Sequence, residues 1–303
     1  MNMAEPDTTL LGIDWGTSNR RAYLLDGQGR LVRRHEDGFG ILSVAGDFEA
    51  SLRELLEDLD VHPPQVLMSG MVGSRNGWHE IPYLSVDHPL SDLASAAADI
   101  GSTLPMPCRI VPGYEYLDAN GMPDVMRGEE TQVFGAFELG ASDGWFVLPG
   151  THSKWVRVED GRIREFLTFM TGELFALLSK QGTLAKLMNV HEDVPAAFEA
   201  GLKAAGHGAF THLAFSCRAL VVTDRMPQEQ AYSYLSGLLI GTELHDILRR
   251  SSGEMRPPVE IIGSPALGAR YRRALELLNV TARAWQPDDI YVAALHALSG
   301  MKR

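Results

Sequence analysis

Residues 12–27 read GIDWGTSNRRAYLLDG and residues 148–161 read LPGTHSKWVRVEDG. Each writes Gly-Thr, a polar step, a run of strand-forming residues and then Asp-Gly. Gly150-Thr151 follows Gly16-Thr17 by 134 residues, and Asp160-Gly161 follows Asp26-Gly27 by the same 134. Solenoid repeats have units of about 20 to 50 residues, so a period this long marks a duplicated domain. Either turn alone is ordinary hairpin chemistry. They form a pair because each opens a half-chain and each continues into strand, strand and helix.

TTLLGID, RRAYLLD and GRLVRRHE are short runs rich in Leu, Ile, Val and Tyr, separated by WGTSN and GQG. That pattern predicts an antiparallel three-strand meander. Phe48, Leu52, Leu55, Leu56 and Leu59 recur at helical spacing and predict a helix over 47–59. After Pro63-Pro64, QVLMSG predicts a buried strand. From Trp145 the order recurs as WFVLPG, SKWVRVED and GRIREFLTFM, followed by one long helical stretch from about Thr171. PDDIYVAALHALSG reads as a closing helix, with Pro287 near its start and Gly300 past its end. The expected fold is α/β, with two duplicated domains over 1–140 and 141–303, each carrying one Gly-Thr hairpin.

A chain of 303 residues, 45% hydrophobic and 22% charged, can fill two cores of this size. Its formal charge of -12, without a dense Lys/Arg run, argues against nucleic acid or an anionic membrane as partner. Cys108 and Cys217 are the only cysteines and form no C-x-x-C or Cys/His cluster, which argues against a structural zinc and a disulfide framework. A reducing cytoplasm is the expected location. MNMAEPDTTL has no apolar targeting core, and no stretch approaches the roughly 18 apolar residues of a membrane span.

A turn presenting Gly, Thr, Ser and Asn between two strands exposes backbone N–H groups and hydroxyls, and such concave arrays bind phosphate oxygens. The candidates are Gly16, Thr17, Ser18 and Asn19 in the first turn and Gly150 and Thr151 in the second. Two such turns, one from each domain, can grip a polyphosphate from both sides of an interdomain cleft. Asp14, just before the first turn, is placed to hold Mg²⁺ through water, because Mg²⁺ keeps several waters and takes few carboxylates. Lys154, three residues past Thr151, can offset phosphate charge. Neither G-x-x-x-x-G-K-[ST] nor G-x-G-x-x-G occurs, and HExxH and G-x-S-x-G are also missing, which disfavours a P-loop, a dinucleotide turn, a zinc peptidase and a nucleophile elbow.

GIDWGTSNRRAYLLD and LPGTHSKW resemble the two phosphate motifs of the sugar kinase, hexokinase, Hsp70 and actin superfamily. In VEIIGSPALGARYRRAL a strand runs into Gly263-Ser264-Pro265 and a helix, with Ser264 reading as N-cap and Pro265 as first helical residue. The resemblance implies that this turn carries the adenosine site. It also implies ribonuclease H-like (actin-like ATPase) domains with an ATP cleft between them, and ATP with Mg²⁺ as cofactors. Within the superfamily the chain is similar to the 2-dehydro-3-deoxygalactonokinase family over essentially its whole length. DWGTSNRRAYLL, MSGMVGSRNGWHEIPYL, VMRGEETQVFGAF, FLTFMTGELFALLS and GSPALGARYRRAL carry the likeness together with the second hairpin. The implied activity is ATP-dependent phosphorylation of the 6-hydroxyl of 2-dehydro-3-deoxy-D-galactonate, a sugar acid of galactonate catabolism.

Phosphoryl transfer also needs a carboxylate to accept the proton of the acceptor hydroxyl. Glu129 and Glu130 open an apparent helix, where the helix dipole favours negative charge. Related sugar kinases carry an Asp after Gly at such a helix start, so Gly128-Glu129 favours Glu129 as base, with Glu130 kept beside it. A 2-keto acid brings a carboxylate that a planar Arg fork binds well. The Gly-rich loop SRNGWH offers Arg75 for it, Asn76 for hydroxyls and Trp78 as an apolar wall, with Arg21 and Arg127 as alternative arginines. Thr171-Gly172-Glu173 is explained by plain N-capping through Thr171, and Glu173 matches a family segment that implies a substrate contact. LSGLLIGTELHDIL reads as an apolar helix with a solvent-facing polar edge, and Met68, Met71, Met170 and Met188 read as core filler.

The alternative readings are a kinase of another sugar or sugar acid, such as 2-keto-3-deoxygluconate, and a non-metabolic actin/Hsp70-like ATPase. A sugar-sensing regulator is disfavoured by the acidic charge. The expected partners are a small sugar acid and ATP, with a homodimer as the commonest assembly for such a chain.

Overall fold

A computed structural model describes residues 8–188, 192–251, 255 and 258–300; the N-terminal residues 1–7 read above lie outside them. The chain divides into two compact units. The first takes in residues up to Asp143, Arg157–Phe166 and Trp285 onward, and the second takes in Gly144–Val156 and Leu167–Ala284.

In chain order the first part forms β1 (Thr8–Trp15), β2 (Arg20–Asp26), β3 (Leu31–Asp37), α1 (Phe48–Leu59), β4 (Val66–Gly70), β5 (Leu84–Ser85), α2 (Leu93–Ala96), β6 (Ala98–Asp99), β7 (Cys108–Ile110), β8 (Tyr114–Leu117), β9 (Pro123–Met126) and α3 (Glu129–Glu138). Its main sheet runs β3-β2-β1-β4-β7-β6. The predicted meander is present: β1 pairs antiparallel with β2, and β2 with β3. β1 then pairs parallel with β4, and β4 with β7. Leu10, Leu11, Ile13 and Trp15 of β1 are wholly buried, as expected of a central strand covered on both faces. α1 lays Leu52, Leu55, Leu56 and Leu59 into this core. Each such leucine contributes roughly 1.5–3 kcal/mol of burial free energy. Asp47 caps α1 by accepting from Ala50 N at 3.1 Å, and Asp60 ends it in the left-handed region.

The second part forms β10 (Gly144–Leu148), β11 (Ser153–Glu159), β12 (Arg162–Phe169), α4 (Thr171–Lys180), α5 (Gly182–Ala185), α6 (Pro195–Ala204), α7 (Phe210–Val222), α8 (Ala231–Arg250), β13 (Val259–Ile262), α9 (Pro265–Leu277), β14 (Ala282–Trp285) and α10 (Pro287–Leu298). Its sheet runs β12-β11-β10-β13-β14, which repeats the order β3-β2-β1-β4-β7 of the first. β10 and β13 are parallel, as β1 and β4 are. The duplication read from the 134-residue offset is therefore a duplication of topology. α10 closes the first unit: Tyr291 is buried there and shares a hydrogen bond with Ser69 of β4 at 2.7 Å.

Three local expectations are corrected. The stretch from Thr171 is two helices, because Gln181 is extended and Gly182 sits at φ +73°. Thr171 is the first residue of α4 and not its cap; the N-cap position belongs to Met170. Met170 is exposed there, whereas Met68 and Met188 are core residues.

Candidate active site

In the first unit the site is assembled where β1, β4 and α3 end or begin. The β1–β4 register sets Asp14 beside Ser69 and Trp15 beside Gly70. Gly70 has φ +88°, and a Cβ there would lie 2.9 Å from Trp15 O and 3.3 Å from Asp14 Oδ1. Gly128, at φ +109°, leads into α3 and stands so close that its Cβ would lie 3.2 Å from Gly70 Cα. Both positions need glycine, for backbone freedom and for space. This close approach brings the first turn of α3 near Asp14. Burial pushes the Asp14 carboxyl above the usual range, Arg21 pulls it down, and the Glu129 charge pushes it up again.

The turn Gly16–Asn19 is closed by Gly16 N donating to Asn19 O at 2.9 Å, and Thr17, Ser18 and Asn19 are exposed. Its carbonyls are engaged from behind: Ile41 N donates to Gly16 O at 3.0 Å and Leu42 N to Thr17 O at 3.3 Å. The exposed edge is thereby left with hydroxyl, amide and backbone N–H character, which suits an anion.

The two glutamates differ sharply. Glu130 is wholly buried, accepts from Gly128 N at 2.7 Å and from Thr131 Oγ1 at 3.0 Å, and is pushed up to about 8 by burial and by the neighbouring Glu129 charge. Glu129 is half-buried and accepts from Arg127 N at 3.0 Å. The arginines are also distinct. Arg21 is committed to Asp14 at 3.1 Å and Glu36 at 3.3 Å. Arg75 and Asn76 are exposed, and Arg75 makes no ion pair among the described residues. Trp78 is half-buried and stacks on Phe48 with ring centroids 6.5 Å apart, so it belongs partly to the core. Arg127 is buried over the Tyr83 ring and donates through Nη2 to Ile81 O at 2.7 Å, while its Nε and Nη1 have no hydrogen-bond partner.

In the second unit Thr151 and His152 are exposed on the turn between β10 and β11. The N-terminus of α4 backs directly onto that turn. A Cβ on Gly172 would lie 2.2 Å from Gly150 O, and Glu173 N donates to Thr151 O at 2.9 Å. Glu173 also holds His152 Nε2 at 2.7 Å. Lys154 is buried, and its Nζ donates to Thr168 Oγ1 at 2.6 Å. The Gly263–Pro265 turn approaches the same hairpin, since a Cβ on Gly263 would lie 3.0 Å from Pro149 Cγ. Ser264 occupies the N-cap position of α9, but its side chain makes no capping hydrogen bond.

The sequence reading missed Glu243. It is buried on α8 and accepts from Ser153 Oγ at 2.8 Å, Trp155 Nε1 at 2.5 Å, Thr171 Oγ1 at 2.5 Å and Tyr271 OH at 2.9 Å. One signal was available: Glu243 lies three residues after Ile240 and four before Ile247, on the apolar stripe and not on the polar edge.

The donor set fits a nucleotide with its metal in kind. Exposed hydroxyls and glycine turns suit phosphate, and no group of three or more His, Cys, Asp or Glu side chains that could cage a metal occurs among the described residues. A Mg²⁺ ion carried mainly by phosphates and water needs only a carboxylate such as Asp14.

The family model described as 2-keto-3-deoxy-galactonokinase matches residues 14–298. The chain is 33% identical over 291 residues to the 2-dehydro-3-deoxygalactonokinase of Escherichia coli (strain K12), covering 95% of this chain and 97% of that one. It is also similar to a crystal structure from Sinorhizobium meliloti, a protein provisionally given the same activity, at TM-score 0.86 and 34% identity over 96% of this chain and 95% of that one. The (R)-2-hydroxyglutaryl-CoA dehydratase component A of Acidaminococcus fermentans shares the fold alone, at TM-score 0.53 and 14% identity over 97% of this chain and 98% of that one. On the match over residues 14–298, this chain belongs to the 2-keto-3-deoxy-galactonokinase family.

Proposed function

We propose that the chain is an ATP-dependent kinase that phosphorylates the 6-hydroxyl of 2-dehydro-3-deoxy-D-galactonate. The observation that carries this reading is the meeting of Asp14, Gly70 and Gly128-Glu129 beside an exposed Gly-Thr-Ser-Asn turn. Family membership directs the choice of acceptor to a keto-deoxy sugar acid.

Phosphoryl transfer asks mainly for positioning and charge stabilisation. Glu129, at the positive end of α3, takes the proton of the acceptor hydroxyl. Glu130 is the poorer base, since it keeps its own proton up to about 8 and has no exposure. Gly16, Thr17, Ser18 and Asn19, with Gly150 and Thr151, serve the phosphate oxygens, and the Gly263–Pro265 turn serves the adenosine. Lys154, three residues past Thr151 and buried with its Nζ on Thr168 Oγ1, offsets phosphate charge. Asp14 is the carboxylate that would hold a Mg²⁺ ion, and Arg21 orients Asp14 from the neighbouring strand. Such an ion would supply charge neutralisation at the phosphate oxygens. On the acceptor side, Arg75 takes the substrate carboxylate, Asn76 a hydroxyl, and Trp78 lines the sugar, with Glu173 as a further contact. A cytoplasmic setting and a homodimer belong to the same proposal; Cys108 and Cys217 are free and buried.

The test is ADP release from ATP-Mg²⁺ with 2-keto-3-deoxygalactonate, 2-keto-3-deoxygluconate, galactonate, glycerol or no acceptor. Turnover confined to the first supports the proposal. Equal turnover with the gluco epimer would widen the acceptor, and acceptor-independent turnover would replace the kinase by an ATPase.

A further inference from the structure

Glu243 is a buried carboxylate that the proposed chemistry does not use. Its four hydrogen-bond donors come from three elements. Ser153 and Trp155 lie on β11 and reach Oε1, while Thr171 on α4 and Tyr271 on α9 reach Oε2. A carboxylate accepts from all four at once, and the indole of Trp155 can only donate.

Two of these donors are chain neighbours of the second turn's supports. Ser153 directly follows His152, the last residue of the turn. Thr171 directly precedes Gly172, the residue whose missing Cβ lets α4 rest on Gly150 O. The third element, α9, begins at the Gly263–Pro265 turn that approaches Pro149. A single side chain thus ties together the strand leaving the hairpin, the helix backing it and the helix that follows the candidate adenosine turn.

We infer that Glu243 is a positioning residue for the nucleotide: it fixes the Gly150–His152 turn relative to the Gly263–Pro265 turn. The inference rests on the reading of both turns as nucleotide contacts. An ordinary packing role would call for an apolar side chain of this volume, since replacing a buried charge by a well-packed hydrophobe is often neutral or stabilising. A carboxylate with four donors instead imposes direction and distance on each partner.

Binding of ADP and of ATP-Mg²⁺ by titration calorimetry, without acceptor, tests it on Glu243→Gln, Thr171→Val and Tyr271→Phe at a temperature well below each melting midpoint. Gln keeps the shape, and the Thr171 and Tyr271 hydroxyls can turn to accept from its amide, so the fold is retained; the other two remove one donor each. The expected result is a loss of nucleotide affinity of about tenfold for Glu243→Gln and several-fold for each donor variant. In Tyr271→Phe, whose lost donor lies on α9 and not on the helix of Glu173, the acceptor KM at saturating ATP is expected to stay unchanged. Lower melting temperatures with unchanged nucleotide affinity in all three would reduce Glu243 to a stability residue and overturn the inference. So would a rise in the acceptor KM of Tyr271→Phe equal to its loss of nucleotide affinity. Wild-type protein that binds neither nucleotide would overturn the reading of the turns as well, which separates the two failures.

Discussion

Asp14 and Arg21 stand directly opposite one another across the β1–β2 ladder, and Arg21 Nη1 donates to Asp14 Oδ2 at 3.1 Å. The arginine considered for a substrate carboxylate is therefore already committed to a protein carboxylate, and to Glu36 beside it. Asp14 in turn feels both the cation of Arg21 and the anion of Glu129, and its other oxygen faces Gly70. A partly compensated, partly desolvated carboxylate at a strand end is suited to taking a hydrated cation without collapsing onto it.

Asp14→Asn should lower kcat by roughly 10²–10³. Its melting temperature should stay close to wild type, because Arg21 is partly exposed and keeps Glu36 as a counter-ion when the Asp14 charge is removed. Steady-state rates and a thermal melt check both halves, and a full-rate variant would remove the metal role.

Glu129→Gln should reduce kcat by roughly 10²–10⁴ while leaving the KM for ATP nearly unmoved. Normal turnover in this variant would pass the base role elsewhere.

Glu130 should make stability depend on pH. Its carboxyl is raised from 4.5 to about 8 in the folded chain, chiefly by burial. Between those values the unfolded chain has lost the proton that the folded chain keeps, so stability falls as pH rises through this window and levels off above it. Urea unfolding from pH 5 to 9 should show that slope, and Glu130→Gln should flatten it; an unchanged slope would mean that another group is responsible.

Arg75→Ala should raise the acceptor KM about tenfold or more, the worth of a charge-assisted hydrogen bond, with ATP affinity unchanged. Should the acceptor KM not move, Arg127→Met becomes the informative variant, because Arg127 Nε and Nη1 have no hydrogen-bond partner.

Gly172→Ala should be costly although the change is one methyl. The new Cβ would lie 2.2 Å from Gly150 O and 2.9 Å from Thr151 Cα, both backbone atoms that cannot rotate aside. The expected destabilisation is about 1–3 kcal/mol, together with a raised KM for ATP as the turn is displaced. A melt and a nucleotide titration check it; wild-type values in both would show that α4 can slide.

Local chemistry is what the sequence states by itself. The turns, the strands of the meander and the helix of Phe48, Leu52, Leu55 and Leu59 follow from local periodicity and turn residues, and the 134-residue offset follows from comparing two such turns. The sequence also determined that Asp14 precedes an anion-suited turn and that acids open α3. Only tertiary structure decided which groups are compensated. Glu129 and Glu130 are neighbours in sequence, yet α3 leaves one half-buried and buries the other wholly. Arg21 and Arg127 read alike in sequence, but a strand register pairs the first with Asp14, while burial leaves the second with two unpartnered nitrogens. Glu243 gathers partners from Ser153 to Tyr271, a span that no local pattern encodes. Charge and hydrogen-bonding state depend on which distant groups share a desolvated volume, and packing alone sets that.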